Sequence, residues 1–197
     1  MRVRTGVTGL MTAACAAVLL APASAAAAPQ KEPQSHCVVD TATRKTTCYD
    51  TFRESIAAAT GGRINNASQE EAAKDKHFLD KLNASAKAPA GTQSSRTSAS
   101  AASPFVLSIF YDDWDYEGSS LTSTGNAACK NDGKWDYQQN YIESGWNNHV
   151  TSLKLFSNCY VELFSGANFT EARQFFTSDT RWVGEAMDNQ ASSVAWT

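Results

Sequence analysis

Residues 105–197 predict an all-β sandwich, and three observations carry that expectation. Seventeen of the twenty aromatic residues, including all five Trp, lie in this stretch, so the bulk needed for a core sits in one domain of about 90 residues. The apolar runs are short: Phe105–Tyr111 is continuous, Ser152–Phe156 and Cys159–Phe164 alternate, and Gln174–Phe176 and Ser193–Trp196 are brief. Turn residues separate them at Gly118-Ser119-Ser120, Asn131-Asp132-Gly133 and Ser165-Gly166, with no convincing long helix between them.

The chain ahead of this domain reads differently. Residues 1–28 have the form of a secretory signal peptide. Arg2 and Arg4 precede an apolar run ending at Ala21, and Ala23-Ser24-Ala25 and Ala26-Ala27-Ala28 offer small-residue cleavage sites. No later stretch has the length and apolarity of a membrane span, so the mature chain is expected to be soluble and secreted. Loss of the signal removes Cys15 and leaves Cys37, Cys48, Cys129 and Cys159. Four cysteines in an exported chain suggest two disulfides with three available connectivities, of which sequence locality favours Cys37–Cys48 and Cys129–Cys159.

Residues 29–64 read as a small clasped segment. A hairpin around Thr41-Ala42-Thr43-Arg44 would be closed by Cys37–Cys48, and a helix would follow, capped by Thr51 with Glu54 three residues on and stopped at Gly61-Gly62. Residues 65–104 read as a largely flexible Ala- and Ser-rich linker. It has a helical stretch around Glu70–Leu82 and almost no apolar bulk from Ala86 to Ser103.

Charge is unevenly spread. Residues 105–197 hold 12 Asp and Glu against 5 Lys and Arg, whereas residues 29–104 hold 8 against 10. An acidic domain argues against nucleic acid as the partner and suits a cation. Catalysis finds little support: the only histidines are His36, His77 and His149, and neither G-x-S-x-G nor H-E-x-x-H occurs. The four mature cysteines leave no spare thiol nucleophile. The chain reads as a non-enzyme.

The domain repeats internally. Tyr111-x4-Tyr116-x-Gly118 in the first half matches Phe164-x4-Phe169-x-Glu171 in the second, and each is followed by a short strand. Each half then ends in a polar hexad and a further strand. The hexads are Asn147-Asn148-His149-Val150-Thr151-Ser152 and Asp188-Asn189-Gln190-Ala191-Ser192-Ser193. Amide, carboxylate and hydroxyl oxygens with turn carbonyls form the ligand set of a hard cation, most plausibly Ca²⁺. A single such hexad is equally a solvated turn whose side chains satisfy the backbone; two in register are not so easily dismissed. The first half carries about a dozen extra residues in the Cys129–Tyr141 region, expected to be an insertion tied down by Cys129–Cys159.

Aromatic-x4-aromatic-x-Gly followed by (Asn/Asp)-(Asn/Asp)-x-x-(Ser/Thr)-Ser, twice over, resembles the βγ-crystallin family, and more closely its secreted microbial Ca²⁺-binding members. The resemblance covers residues 105–197 alone. It implies two Greek-key motifs packed as a sandwich, with paired Ca²⁺ sites at one end. By position it implies Asn148, the His149 carbonyl and Thr151 from one hexad, and Asn189, the Gln190 carbonyl and Ser192 from the other. Ligands would be shared between halves, Asn148 joining Ser192 and Asn189 joining Thr151, with Asn147 and Asp188 bracing the loops. Glu171 departs from the pattern: a glycine is expected there, so the second hairpin is expected to be looser or differently built. Two other functions compete with calcium binding. A proteinase inhibitor, like the small secreted metalloproteinase inhibitors that share this fold, would use the Lys130–Tyr141 loop. A carbohydrate or cell-wall binding module would use exposed Trp and Tyr.

Overall fold

The computed structural model describes residues 34–84, 104–143 and 145–197. The expected signal peptide and the Ala/Ser-rich stretch at 85–103 lie outside the described residues. The described chain begins with a hairpin, β1 (His36–Asp40) and β2 (Thr46–Tyr49). Cys37 sits directly opposite Cys48 in this hairpin, and the two form a disulfide. The Asp40 carboxylate closes the turn by accepting from the Ala42 and Thr43 amides at 2.8 and 2.9 Å, and Arg44 takes the left-handed conformation.

Helix α1 (Phe52–Ala59) starts where the sequence places it: the Thr51 hydroxyl accepts from the Glu54 amide, and Gly61 and Gly62 follow its end at positive φ. The helical stretch expected over Glu70–Leu82 is two helices, α2 (Gln69–Lys74) and α3 (Lys76–Ala84). Ser68 and Glu71 form a reciprocal capping box on α2, and extended backbone at Asp75 divides the pair.

Residues 105–197 form seven strands: β3 (Phe105–Tyr111), β4 (Ser120–Gly125), β5 (Tyr137–Gln139), β6 (Ser152–Leu155), β7 (Val161–Gly166), β8 (Thr170–Phe176) and β9 (Ser193–Trp196). They lie in two sheets, of strand order β2-β1-β4-β3-β6 and β5-β9-β7-β8. Within each half the first, second and fourth strands share a sheet while the third crosses to the other. β5 pairs with β9, and Thr180, in the corresponding place of the second half, bridges to Leu153 of β6. The two Greek-key motifs expected are present, and each exchanges its third strand with the other's sheet. The exchange also revises the reading of residues 130–141 as an insertion, because that stretch contains β5, an integral strand. The second half has only a single bridge at the same position, which makes the first half look longer.

The second revision concerns residues 65–104. A linker was expected there, but its described part, 65–84, contains α2 and α3 and buries Ala67, Ala72, Phe78 and Leu82. With Phe52, Ile56, Ala59 and Ile64 these side chains pack on Val106, Ile109, Tyr111, Tyr116 and Phe156 of the β domain. The opposite side of β3 directs Leu107 and Phe110 into the sandwich core with Leu153, Leu163, Val194 and Trp196. β3 is apolar at every position but the buried Ser108 because both its faces are covered. β1 meanwhile pairs in parallel with the edge of β4, His36 opposite Ser120 through Asp40 opposite Thr124. The sparse apolar residues of 36–84 could not offset chain entropy alone; the outer face of the first sheet supplies the missing half of their core.

Both hairpin folds follow the repeat. Asp115, Tyr116 and Gly118 have φ of 56, 68 and 80°, and their counterparts Asn168, Phe169 and Glu171 have 56, 60 and 68°. The second hairpin therefore keeps the shape of the first, with Glu171 in the left-handed conformation that Gly118 supplies in its counterpart. At Gly118 a side chain would also meet the Asp112 carboxylate, at 2.0 Å from the added carbon.

Two crossed loops form the candidate site

The two hexads are held to each other by a near-symmetric set of backbone bonds. The Asn148 amide donates to the Ala191 carbonyl at 2.9 Å, and the Asn189 amide donates to the Val150 carbonyl at 3.1 Å. Thr151 and Ser192 donate their amides to Tyr111 and Phe164, the first aromatic of each half, both at 2.8 Å. Their carbonyls accept from Val183 and Ile142 at 2.9 and 2.8 Å. Asn148 and Asn189 have φ of 62 and 55°, a conformation asparagine tolerates better than most residues. It turns each loop so that the side chain just before the strand, Thr151 or Ser192, meets the other loop.

The last serine of each hexad has a separate task, one that hexad counting missed although both hexads end in Ser. The buried Ser152 hydroxyl donates to the Asp113 carbonyl at 2.7 Å and accepts from the Tyr116 amide at 3.1 Å. Ser193 does the same for the Gly166 carbonyl and Phe169 amide, at 2.6 and 3.0 Å. Each hexad thereby latches the folded hairpin of its own half, which explains why hairpin motif and hexad occur together.

The structure brings Asn148 and Ser192 together across the halves: the Ser192 hydroxyl donates to Asn148 Oδ1 at 3.2 Å. Thr151 meets a different residue from the one expected. Its hydroxyl donates to Asp188 Oδ1 at 2.7 Å, while Asn189 lies one step away, its amide reaching the same Asp188 oxygen at 3.4 Å. The sequence had assigned Asp188 to bracing; its carboxylate at the first hexad position was the available signal. His149 and Gln190 are exposed turn residues whose amides donate to Trp146 and Met187. Asn147 is half-buried, and its Oδ1 is buried with no hydrogen-bond partner.

These donors fit a hard cation. Hydroxyl oxygens lie 2.7 and 3.2 Å from an anionic and an amide oxygen, and two oxygens that close can share one Ca²⁺, which takes oxygen ligands at about 2.3–2.6 Å. The orphaned Asn147 oxygen adds an acceptor that the protein alone leaves unsatisfied. Among the described residues no group of three or more His, Cys, Asp or Glu could hold a metal, so any ion here would rest on neutral oxygens and one carboxylate. Residues able to hold it are Asn148 and Ser192 in one loop pair, and Thr151 and Asp188 in the other, with the His149 and Gln190 carbonyls nearby in sequence.

Elsewhere on the domain, Trp114 and Trp182 stack at 4.9 Å with an interplanar angle of 16° and remain 53% and 40% exposed. The Asp115–Arg181 ion pair and an Asp115 amide bond to the Arg181 carbonyl at 3.0 Å hold their two loops together. The proposed inhibitory loop is tied down. Lys130 donates its amide to Asp136 at 2.8 Å, Asn131 donates to the Asn158 carbonyl at 2.8 Å, and Trp135 packs on Phe164 and Phe169. Cys129–Cys159 closes its base.

The fold and loops thus define a two-sheet Greek-key module with paired oxygen-rich loops and two disulfides. Over about half its length the chain matches solved βγ-crystallin domains. One from Clostridium beijerinckii is 29% identical, over 46% of this chain and 95% of that one, with a TM-score of 0.35. One from Flavobacterium johnsoniae is 18% identical, over 46% and 93%, with a TM-score of 0.34. The N-terminal domain of Protein S is 13% identical, over 46% and 94%, with a TM-score of 0.36. No protein-family model matches the sequence, and no curated protein does.

Proposed function

We propose that the chain is a secreted Ca²⁺-binding module of βγ-crystallin type, in which the ion cross-links the two hexad loops and stabilises the domain. The observation that carries this reading is the reciprocal placement of the loops. Each brings a hydroxyl from one half against a carboxylate or amide oxygen from the other, at 2.7 and 3.2 Å. An ion shared by those oxygens would bind the folded state alone, because unfolding separates residues 37 and 44 positions apart. The Ala-x-Ala sites and the two disulfides support export.

With affinities in the range of about 10⁻⁵–10⁻³ M typical of weakly charged extracellular sites, 10 mM Ca²⁺ would add roughly 1.4–4 kcal/mol per site by linkage. The test is calorimetry and thermal unfolding of the protein in EDTA and then in Ca²⁺. A rise of several degrees that is lost in Asn148→Ala and Asp188→Ala is expected. Absence of both heat and shift would refute the reading.

A glycan-binding role is the second reading, supported by the exposed Trp114–Trp182 stack, a rigid apolar platform flanked by a carboxylate and a guanidinium. Glycan pulldown with Trp114→Ala as the control would test it, and equal recovery of both proteins would remove the support.

A further inference from the structure

The internal repeat makes Trp114 equivalent to Ala167, Asp115 to Asn168, Arg181 to Asn140 and Trp182 to Tyr141. The two corners are closed by the same backbone bond, from the Asp115 amide to the Arg181 carbonyl at 3.0 Å and from the Asn168 amide to the Asn140 carbonyl at 2.7 Å. Asp115 and Asn168 share a φ of 56°. Their side chains also meet the opposite loop: Asp115 pairs with Arg181, and Asn140 Nδ2 donates to Asn168 Oδ1 at 3.2 Å. The second corner thus closes with two amides, an alanine and an exposed tyrosine, so the fold requires neither the indoles nor the ion pair at the first. What the first corner adds is surface. Trp114 and Trp182 are stacked yet exposed, beside an ion pair whose side chains are at least half exposed, and such apolar surface rimmed by polar groups marks a contact site. The corner is also held rigid. Thr180 and Val183 donate their amides to Leu153 and Thr151 at 2.9 Å, and the Trp114 amide donates to the Asp113 carboxylate at 2.7 Å. A ligand therefore meets a platform that needs little ordering.

We propose that this corner binds a neutral polysaccharide of β-linked pyranose rings, one ring seated on the indole stack with its hydroxyls shared between Asp115 and Arg181. The inference rests on the glycan-binding reading above. A β-linked pyranose with equatorial substituents presents a flat C–H face of partial positive charge, which complements the negative face of an indole. Its hydroxyls both donate and accept, whereas a guanidinium only donates and a carboxylate only accepts. The ion pair therefore offers each hydroxyl a partner of either kind. Charge selects a neutral chain. Asp115 already matches the Arg181 charge, and residues 105–197 hold 12 Asp and Glu against 5 Lys and Arg, a field that repels polymers bearing uronate or phosphate. Each indole covers one face of the other, so the corner gives a single ring contact instead of a long strip. The Tyr141 corner, with Ala167 and two amides, is not a second site.

Retardation of the full chain in native gels cast with a soluble β-glucan, with glycol chitin or with polygalacturonate tests this. Wild type is expected to be retarded by at least one neutral polymer, the two arms separating glucose from N-acetylglucosamine chains, and to run freely through the polyuronate. The decisive variant gives the first corner the residues of the second: Trp114→Ala, Asp115→Asn, Arg181→Asn and Trp182→Tyr together. The corner it copies already closes in this fold, and a cooperative thermal transition would establish that the variant folds; Trp114→Ala alone supplies the same readout with a smaller change. Apparent affinity should fall about tenfold or more in either variant, and Tyr141→Ala should leave it unchanged. Retardation kept by the corner variant, or lost in Tyr141→Ala, would overturn the assignment to this corner while leaving glycan binding intact. Retardation by polygalacturonate as strong as by the neutral polymers would overturn the ligand class. No retardation of wild type in any gel would overturn both the inference and the glycan reading, and leave the stack as a surface for a protein.

Discussion

Replacing Ile56 by Ala asks whether residues 34–84 are part of the β domain's core or an appendage to it. Ile56 lies in α1 and is completely buried, in a cluster whose other members include Ile109 of β3 and Phe156 after β6, themselves essentially inaccessible. Truncation removes three carbons from a site enclosed by helix on one side and sheet on the other. Such Ile→Ala changes cost about 2–5 kcal/mol, and a site walled by a sheet has little freedom to collapse, so about 3–4 kcal/mol is expected. At roughly 2–4 °C per kcal/mol for a chain of this size, the midpoint should fall by about 6–16 °C. The assay is selective because all five Trp lie beyond residue 113 and none in 34–84. Tryptophan fluorescence therefore reports the sandwich alone. If the helices were an independent appendage, the fluorescence transition would not move when α1 is damaged. An unshifted transition in Ile56→Ala would refute the shared core. The control is the exposed neighbour Arg53, where Ala should stay within about 0.5 kcal/mol.

Two further outcomes follow from single residues. Glu171 holds φ of 68°, where a side chain costs about 1–2 kcal/mol relative to glycine; Glu171→Gly should raise stability by about 1 kcal/mol in urea unfolding, and a loss would show that the Glu171 side chain supports the hairpin. Burial, then the Asp179 charge, pushes Tyr116 up to about 12, and the same causes in the same order hold Tyr111 higher still. Unfolded tyrosine ionises near 10, so both groups contribute stability that is fully present below that pH and is lost as pH rises through the folded values. Unfolding should begin above about pH 10, and Tyr111→Phe should lessen that alkaline loss. It should also be neutral or mildly stabilising at pH 7, because the hydroxyl it removes is buried without a partner.

Much of the domain was legible because its signals are local. Strand positions follow from runs such as Ser152–Phe156 and Cys159–Phe164, and α1 from the Thr51–Glu54 pair. Both disulfides join neighbours in sequence or across one repeat boundary. The repeat located both hexads and brought Asn148 to Ser192. What was not legible depended on partners far away in the chain. The helices at 69–84 have too few apolar residues to declare a core of their own, and no window of sequence shows that the outer face of β3 completes it. The third strand β5 looked like an insertion because its partner, Trp196 with its neighbours, lies nearly 60 residues on. The choice of Asp188 rather than Asn189 by Thr151 turns on side-chain direction, which spacing does not encode.

The sequence by itself determined the periodicities, the turns, the caps, and the oxygen chemistry of the two loops, since each is set by residues within a few positions of one another. Only the tertiary structure decided that residues 34–84 form an added layer, that each third strand changes sheets, and that the two loop pairs differ in charge. Those depend on which surfaces meet when apolar faces are buried, and that is a property of the whole chain.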